Sequence, residues 1–169
     1  MQPTSSDVET TPYLTFRLAQ EEYAVPVLRV REIIEYDTVT RVPSTPAWIR
    51  GVINLRGGVV PVVDLGLRLG LPDRPLTRRS CIVIVELPLD GATALVGVTA
   101  DAVSRVEEIR PQDIEPVPAF GTHIEVESLL GMARSGSAFV LLLDIDRLLA
   151  AEAARSTAEP PPAAEGPEA

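Results

Sequence analysis

One histidine, one cysteine and scattered carboxylates are all that this 169-residue chain offers to catalysis. His123 stands in a polar loop near Gly121, Thr122 and Glu125, with no nucleophile elbow beside it and no second His or Cys to complete a metal site. Cys81 opens an apolar run, where a free thiol packs as a small hydrophobe. Being alone it can form no intramolecular disulfide, and nothing else asks for an oxidising compartment. Gly51, Gly57 and Gly58 lie in strand and hairpin context, not between a strand and a long helix as a phosphate cradle requires. Neighbouring carboxylates such as Glu107 and Glu108 alternate faces or sit in turns, so no acid and base assemble. The reading is of a non-enzymatic protein with no catalytic residue, no metal and no cofactor.

A different kind of chemistry is suggested by asymmetry between two halves. Val30-Arg31-Glu32-Ile33, Val42-Pro43, Gly51 and an apolar run closing on Asp64 recur as Val106-Glu107-Glu108-Ile109, Val117-Pro118, Gly131 and a run closing on Asp144. Thirteen positions separate Gly51 from Asp64, and thirteen separate Gly131 from Asp144. Shared positions serve a shared skeleton, so polar residues of one copy alone are the better functional candidates. Asn54-Leu55-Arg56-Gly57 falls opposite Arg134-Ser135-Gly136-Ser137, which singles out Arg56. The two aspartates, present in both copies, read as caps of short helices.

The elements that position these residues are mostly strands. Tyr13–Ala19 and Tyr23–Leu28 form a hairpin, Val52–Leu55 and Val59–Val63 flank a tight turn at Gly57-Gly58, and Cys81–Leu87 and Ala94–Thr99 flank a turn at Leu89–Gly91. Val30–Tyr36 reads as a short helical turn because Val30, Ile33 and Ile34 share a helical face. Many short strands with Gly and Pro turns point to an all-β fold of barrels. Residues 1–11 are expected to be a flexible lead, 12–150 one domain with units of about 12–79 and 80–150, and 151–169 a disordered Ala/Pro/Glu tail.

Hydrophobic residues make up 46% of the chain but aromatics only 4%, so Val, Leu and Ile must fill the interior. All 15 basic residues are arginines, read as a compositional bias. Of the net charge of −9, the body 12–150 keeps −4, and its arginines form no basic stripe, which speaks against a nucleic-acid partner. The Arg74, Arg78 and Arg79 group reads as solvated charge. No basic leader, apolar h-region or bilayer-length run is present, so a cytoplasmic protein without membrane insertion is expected.

The string Trp48-Ile49-Arg50-Gly51-Val52-Ile53-Asn54-Leu55-Arg56-Gly57-Gly58-Val59-Val60-Pro61-Val62-Val63-Asp64-Leu65 closely resembles the signature of CheW-type chemotaxis coupling proteins. Glu22-Tyr23, Val30 to Ile33 and Thr40-Arg41-Val42-Pro43-Ser44-Thr45-Pro46 extend the resemblance, which covers about residues 13–150. It implies two five-stranded SH3-like barrels, related by internal duplication and sharing an apolar core with short helices. It implies an adaptor between the cytoplasmic tips of chemoreceptors and the regulatory domain of a CheA-type histidine kinase, recruited to receptor arrays and able to join higher-order assemblies. A homologous coupling module of a non-flagellar sensory pathway is the alternative. Carried over by position, the receptor-binding residues are Val30, Glu32, Ile33, Gly51, Asn54, Arg56 and Gly57, and the kinase-binding residues are Val117, Pro118 and Phe120. Core packing competes as an explanation for Val30 and Ile33, and close strand packing for Gly51.

Arg56 precedes a glycine turn on an apolar strand, so its guanidinium must reach solvent or find a carboxylate. Glu32 is the expected partner; Glu108, facing a glycine in the second copy, is expected to face water.

Overall fold

A computed structural model describes residues 9–89, 91–118 and 128–154. Eleven strands run in chain order: β1 Thr11–Leu18, β2 Glu21–Pro26, β3 Val30–Glu35, β4 Ile49–Leu55, β5 Gly58–Val63, β6 Cys81–Leu89, β7 Ala92–Ala100, β8 Ala102–Ile109, β9 Ile114–Glu115, β10 Leu129–Ser135 and β11 Ala138–Leu143. The described residues also form three one-turn helices, α1 Leu65–Arg68 after β5, and α2 Ile145–Leu148 and α3 Ala150–Ala153 after β11.

The strands form two sheets, ordered β8-β1-β2-β11-β10-β9 and β3-β6-β7-β5-β4. Each contains one antiparallel hairpin from the other half of the chain, held by a short parallel pairing: β11 with β2 through Val140↔Glu22 to Leu142↔Ala24, and β5 with β7 through Val62↔Gly97 and Val63↔Val98. The two copies have therefore exchanged their leading hairpins. A division at residues 79 and 80 does not follow the sheets, because β1–β2 completes the barrel of the second copy and β6–β7 that of the first. Equivalent hairpins carry equivalent patterns, so the sequence marks the repeat without marking the exchange.

Packing follows the duplication. Ile53, Val60, Val62, Ile82, Ile84 and Leu95 fill one barrel, and Tyr13, Ala24, Ile109, Ala133, Val140 and Leu142 fill the other. Between them lies a larger shared core that includes Phe16, Leu18, Tyr23, Val25, Leu65, Val83, Val96, Leu143 and Leu149. Burying one such aliphatic or aromatic side chain is worth about 1.5–3 kcal/mol, so the shared core is what joins the barrels.

Asp64 and Asp144 cap α1 and α2: Asp64 Oδ1 accepts from Leu67 N at 3.1 Å and Asp144 Oδ1 from Arg147 N at 3.2 Å. Asp64 Oδ2 also accepts from Arg50 Nε at 2.9 Å. Arg74 is not solvated charge. Its guanidinium donates twice to Asp101, at 2.8 and 3.0 Å, and covers Gly66, where an added Cβ would fall 2.5 Å from Nη1. The hydrogen-bonded Asp101 carboxylate raises the Arg74 pKa despite partial burial.

Two sequence expectations are corrected. Val30–Glu35 is a strand paired with β6, and the helical character is confined to a single 3-10 turn at Val27–Arg29. The folded chain also continues past Ala150: in α3, Ala153 joins the shared core and the buried Glu152 accepts from Trp48 Nε1 at 3.2 Å.

Candidate functional site

Strands β3 and β4 are the two edges of the five-stranded sheet, and the candidate residues lie on them and on the β4–β5 turn. That turn is Arg56-Gly57, one residue earlier than expected, closed by the pair Leu55↔Gly58. Both turn residues have left-handed backbone, φ +53 at Arg56 and +89 at Gly57, as a tight hairpin of this hand requires. Asn54 Oδ1 accepts from Gly57 N at 3.0 Å and so fastens the turn from within.

Arg56 projects from the turn to Glu32 on the opposite edge strand, with Nη1 2.7 Å from Oε2. The side chains are 64% and 27% exposed. The contact is one of charge: Glu32 Oε2 is shielded from solvent, yet the Arg56 N–H is not aligned with it as a hydrogen bond. The pair closes the mouth of the barrel. In the second barrel the same closure is made by Arg105, Glu107 and Ser135, with Arg105 Nη2 donating to Ser135 Oγ at 2.6 Å and Ser135 Oγ donating to Glu107 Oε1 at 3.0 Å. The single bulges of β3, at Arg31, and of β8, at Ser104, set Val30 level with Val103 and Glu32 level with Arg105, so Val106–Ile109 is not the structural counterpart of Val30–Ile33; Glu108 accepts from Thr10 Oγ1 at 2.6 Å.

The remaining candidates divide. Ile33 is 43% exposed on the outer face of β3. Val30 is half-buried and packs against the shared core. Gly51 is buried at a β-bulge with φ +149, and a Cβ there would lie 2.1 Å from the Thr40 carbonyl oxygen. Its role is close packing, as it is at Gly131, where Ile114 Cγ2 would be met at 2.6 Å. Structure thus gathers Glu32, Asn54, Arg56 and Gly57 at one barrel mouth, with Ile33 on the adjoining strand, and assigns Gly51 and Val30 to its support. Val117 is half-buried and Pro118 exposed beyond β9; Phe120 and His123 lie outside the described residues. Val59, opposite Asn54 in the ladder and 41% exposed, adjoins the turn.

Among the described residues no three His, Cys, Asp or Glu side chains are grouped as metal ligands, and no helix is long and apolar enough to cross a membrane.

The CheW-like domain model matches residues 12–153. This chain belongs to the CheW-like family. The CheW-like match ends in α3, in agreement with the buried Ala153. The chain is 35% identical to the chemotaxis protein CheW of Klebsiella aerogenes over 140 residues, 83% of this chain and 82% of that one. It is 30% identical to CheW of Bacillus subtilis over 146 residues, covering 85% and 89%. The crystal structure of the scaffolding protein TtCheW from Thermoanaerobacter tengcongensis superposes with a TM-score of 0.75 at 33% identity, covering 83% of this chain and 88% of that one.

Proposed function

We propose that this chain is a chemotaxis coupling adaptor of the CheW family that joins the signalling tip of a chemoreceptor to the regulatory domain of a CheA-type kinase. It works by binding alone, without catalysis, and acts in the cytoplasm where it is recruited to receptor arrays. The single observation that carries the receptor side is the barrel mouth. The Glu32–Arg56 pair, the fastened Asn54–Gly57 turn and the exposed Ile33 combine charge, a rigid backbone and an apolar side chain on one face. That composition suits a protein surface and no small-molecule reaction. The chemotaxis names of the relatives favour this output over another sensory pathway.

For the kinase side we retain Val117, Pro118 and Phe120, on the strength of the family resemblance. The decisive experiment is co-purification with a receptor tip fragment and a kinase regulatory domain from the same organism, where a ternary complex is expected. Loss of kinase binding with receptor binding intact is expected for Phe120→Asp, because a charge in an apolar contact must be desolvated. Binding to neither partner by the wild-type chain refutes the adaptor reading.

A further inference from the structure

Two contacts close the first barrel along its β4 edge, one from the segment that follows β3 and one from β3 itself. Towards the base of β4, Thr40 and Val52 exchange both backbone hydrogen bonds, Thr40 N to Val52 O at 2.9 Å and Val52 N to Thr40 O at 2.8 Å. At the tip of the hairpin, Arg56 meets Glu32. Between these points an opening remains, with Ile34, Ile53 and Ile82 as apolar lining and Glu35, Asp37 and Asn54 as polar lining. In the second barrel the corresponding edge carries one more pair: β9 sets Glu115 against Met132 and Ile114 against Ala133, with Ile114 packed on that barrel's interior.

The charges around the opening do not cancel. Glu35 and Asp37 are exposed, and among the described residues neither stands within ion-pair distance of an arginine, while Arg56 is matched by Glu32. Ile53 and Ile82 are already buried, so an occupant has to cover the half-buried Ile34 and bring positive charge to two carboxylates. A short cation leaves Ile34 wet, and an apolar side chain removes water from the carboxylates without replacing it. A long aliphatic stem with a cationic head meets both demands.

We propose that this opening receives a lysine or arginine side chain of the bound receptor tip. The proposal rests on the receptor-facing reading of the barrel mouth and names the chemistry that reading leaves open. One receptor residue thereby enters beside the edge strands while the rest of the tip lies across Ile33 and the Arg56–Gly57 turn.

The test uses the full chain and a purified receptor signalling-tip fragment, titrated at low and high salt. The double variant Glu35→Gln, Asp37→Asn is expected to bind the tip about tenfold more weakly at low salt, the scale of one lost charge-assisted contact. Its affinity should also respond less to salt than that of wild type. A Lys→Glu or Arg→Glu substitution in the tip should weaken binding to wild type and be rescued by Glu35→Lys, Asp37→Lys. Unchanged affinity and salt response in the neutralised double variant, with Arg56→Ala still weakening binding, overturns the pocket and leaves the receptor face standing. Absence of charge-reversal rescue at every basic residue of the tip also overturns it. If Arg56→Ala and Ile33→Asp are silent as well, the receptor face itself is misplaced and the pocket falls with it.

Discussion

Arg56 and Glu32 meet across the open edge of a sheet whose other three strands lie between them. The arginine does so from a left-handed backbone conformation, φ +53, at the position where the second copy places Gly136 with φ +64. A non-glycine side chain in that region is strained, and such strain is retained where the residue is needed. Arg56→Gly is therefore expected to match or exceed wild type in Tm while losing receptor binding. Glu32→Ala should move Tm by about 2 °C or less, because the arginine of this contact is largely open to solvent and an ion pair of that kind stabilises little. A double-mutant cycle on Glu32→Ala and Arg56→Ala should give near-additive stabilities but non-additive receptor affinities. A large stability coupling would make the pair a structural strut instead.

The glycines at the two bulges and at the turn should separate in a thermal or urea series. Gly51→Ala drives a Cβ into backbone that cannot swing aside, the Thr40 carbonyl, and is expected to be the most damaging. Gly131→Ala meets both Ile114 and the Glu115 carbonyl and should follow closely. Around Gly57 nothing lies within 4 Å, so Gly57→Ala should cost only about 1 kcal/mol from its positive φ. Equal losses at all three would mean that backbone conformation, not contact, sets the penalty.

How much of this was legible in the sequence depended on β-bulges. The duplication, the capping aspartates, the interior Val, Leu and Ile residues and the Arg56–Glu32 pairing follow from spacing and composition. The strand β3 did not, because a register shift between Val30 and Glu32 breaks its alternation. With that break Val30, Ile33 and Ile34 fall at the spacing of a helix face. The exchange of hairpins depends on long-range parallel pairings with no local sign. The matching of Glu32 with Glu108 fails by three residues, because the bulged registers set Glu32 level with Arg105 while the similar tetrapeptides suggest another alignment.

Where the folded chain ends can be measured with a single reporter, since Trp48 is the only tryptophan. Its indole donates to Glu152, and the Arg68 guanidinium carbon lies 5.3 Å from its ring centroid. Truncation after Ala150 removes Glu152 and the core residue Ala153. It should lower Tm and shift the Trp48 emission, by exposing the ring. Truncation after Ala154 should leave both unchanged. If the two truncations behave alike, α3 adds nothing to the domain.

Alkaline unfolding should report on the shared core. Tyr23 is buried there, and burial first, then the neighbouring Glu21 charge, push its pKa up to about 12 from an ordinary 10.0, with Arg74 acting in the opposite direction. Below pH 10 the hydroxyl is protonated in folded and unfolded chains alike, and its contribution to stability is fully present. Above pH 10 the unfolded chain ionises first, so the folded state holds the extra proton and stability falls as pH rises through 12. A shift of this size corresponds to roughly 2–3 kcal/mol lost over that interval. Phenolate absorbance followed together with urea unfolding from pH 9 to 12 should show one tyrosine titrating with the loss of structure, and Tyr23→Phe should flatten the decline. A decline of the same steepness in Tyr23→Phe would place the alkaline sensitivity elsewhere, with Tyr13 and Tyr36, whose pKa values burial also raises, as the next residues to replace.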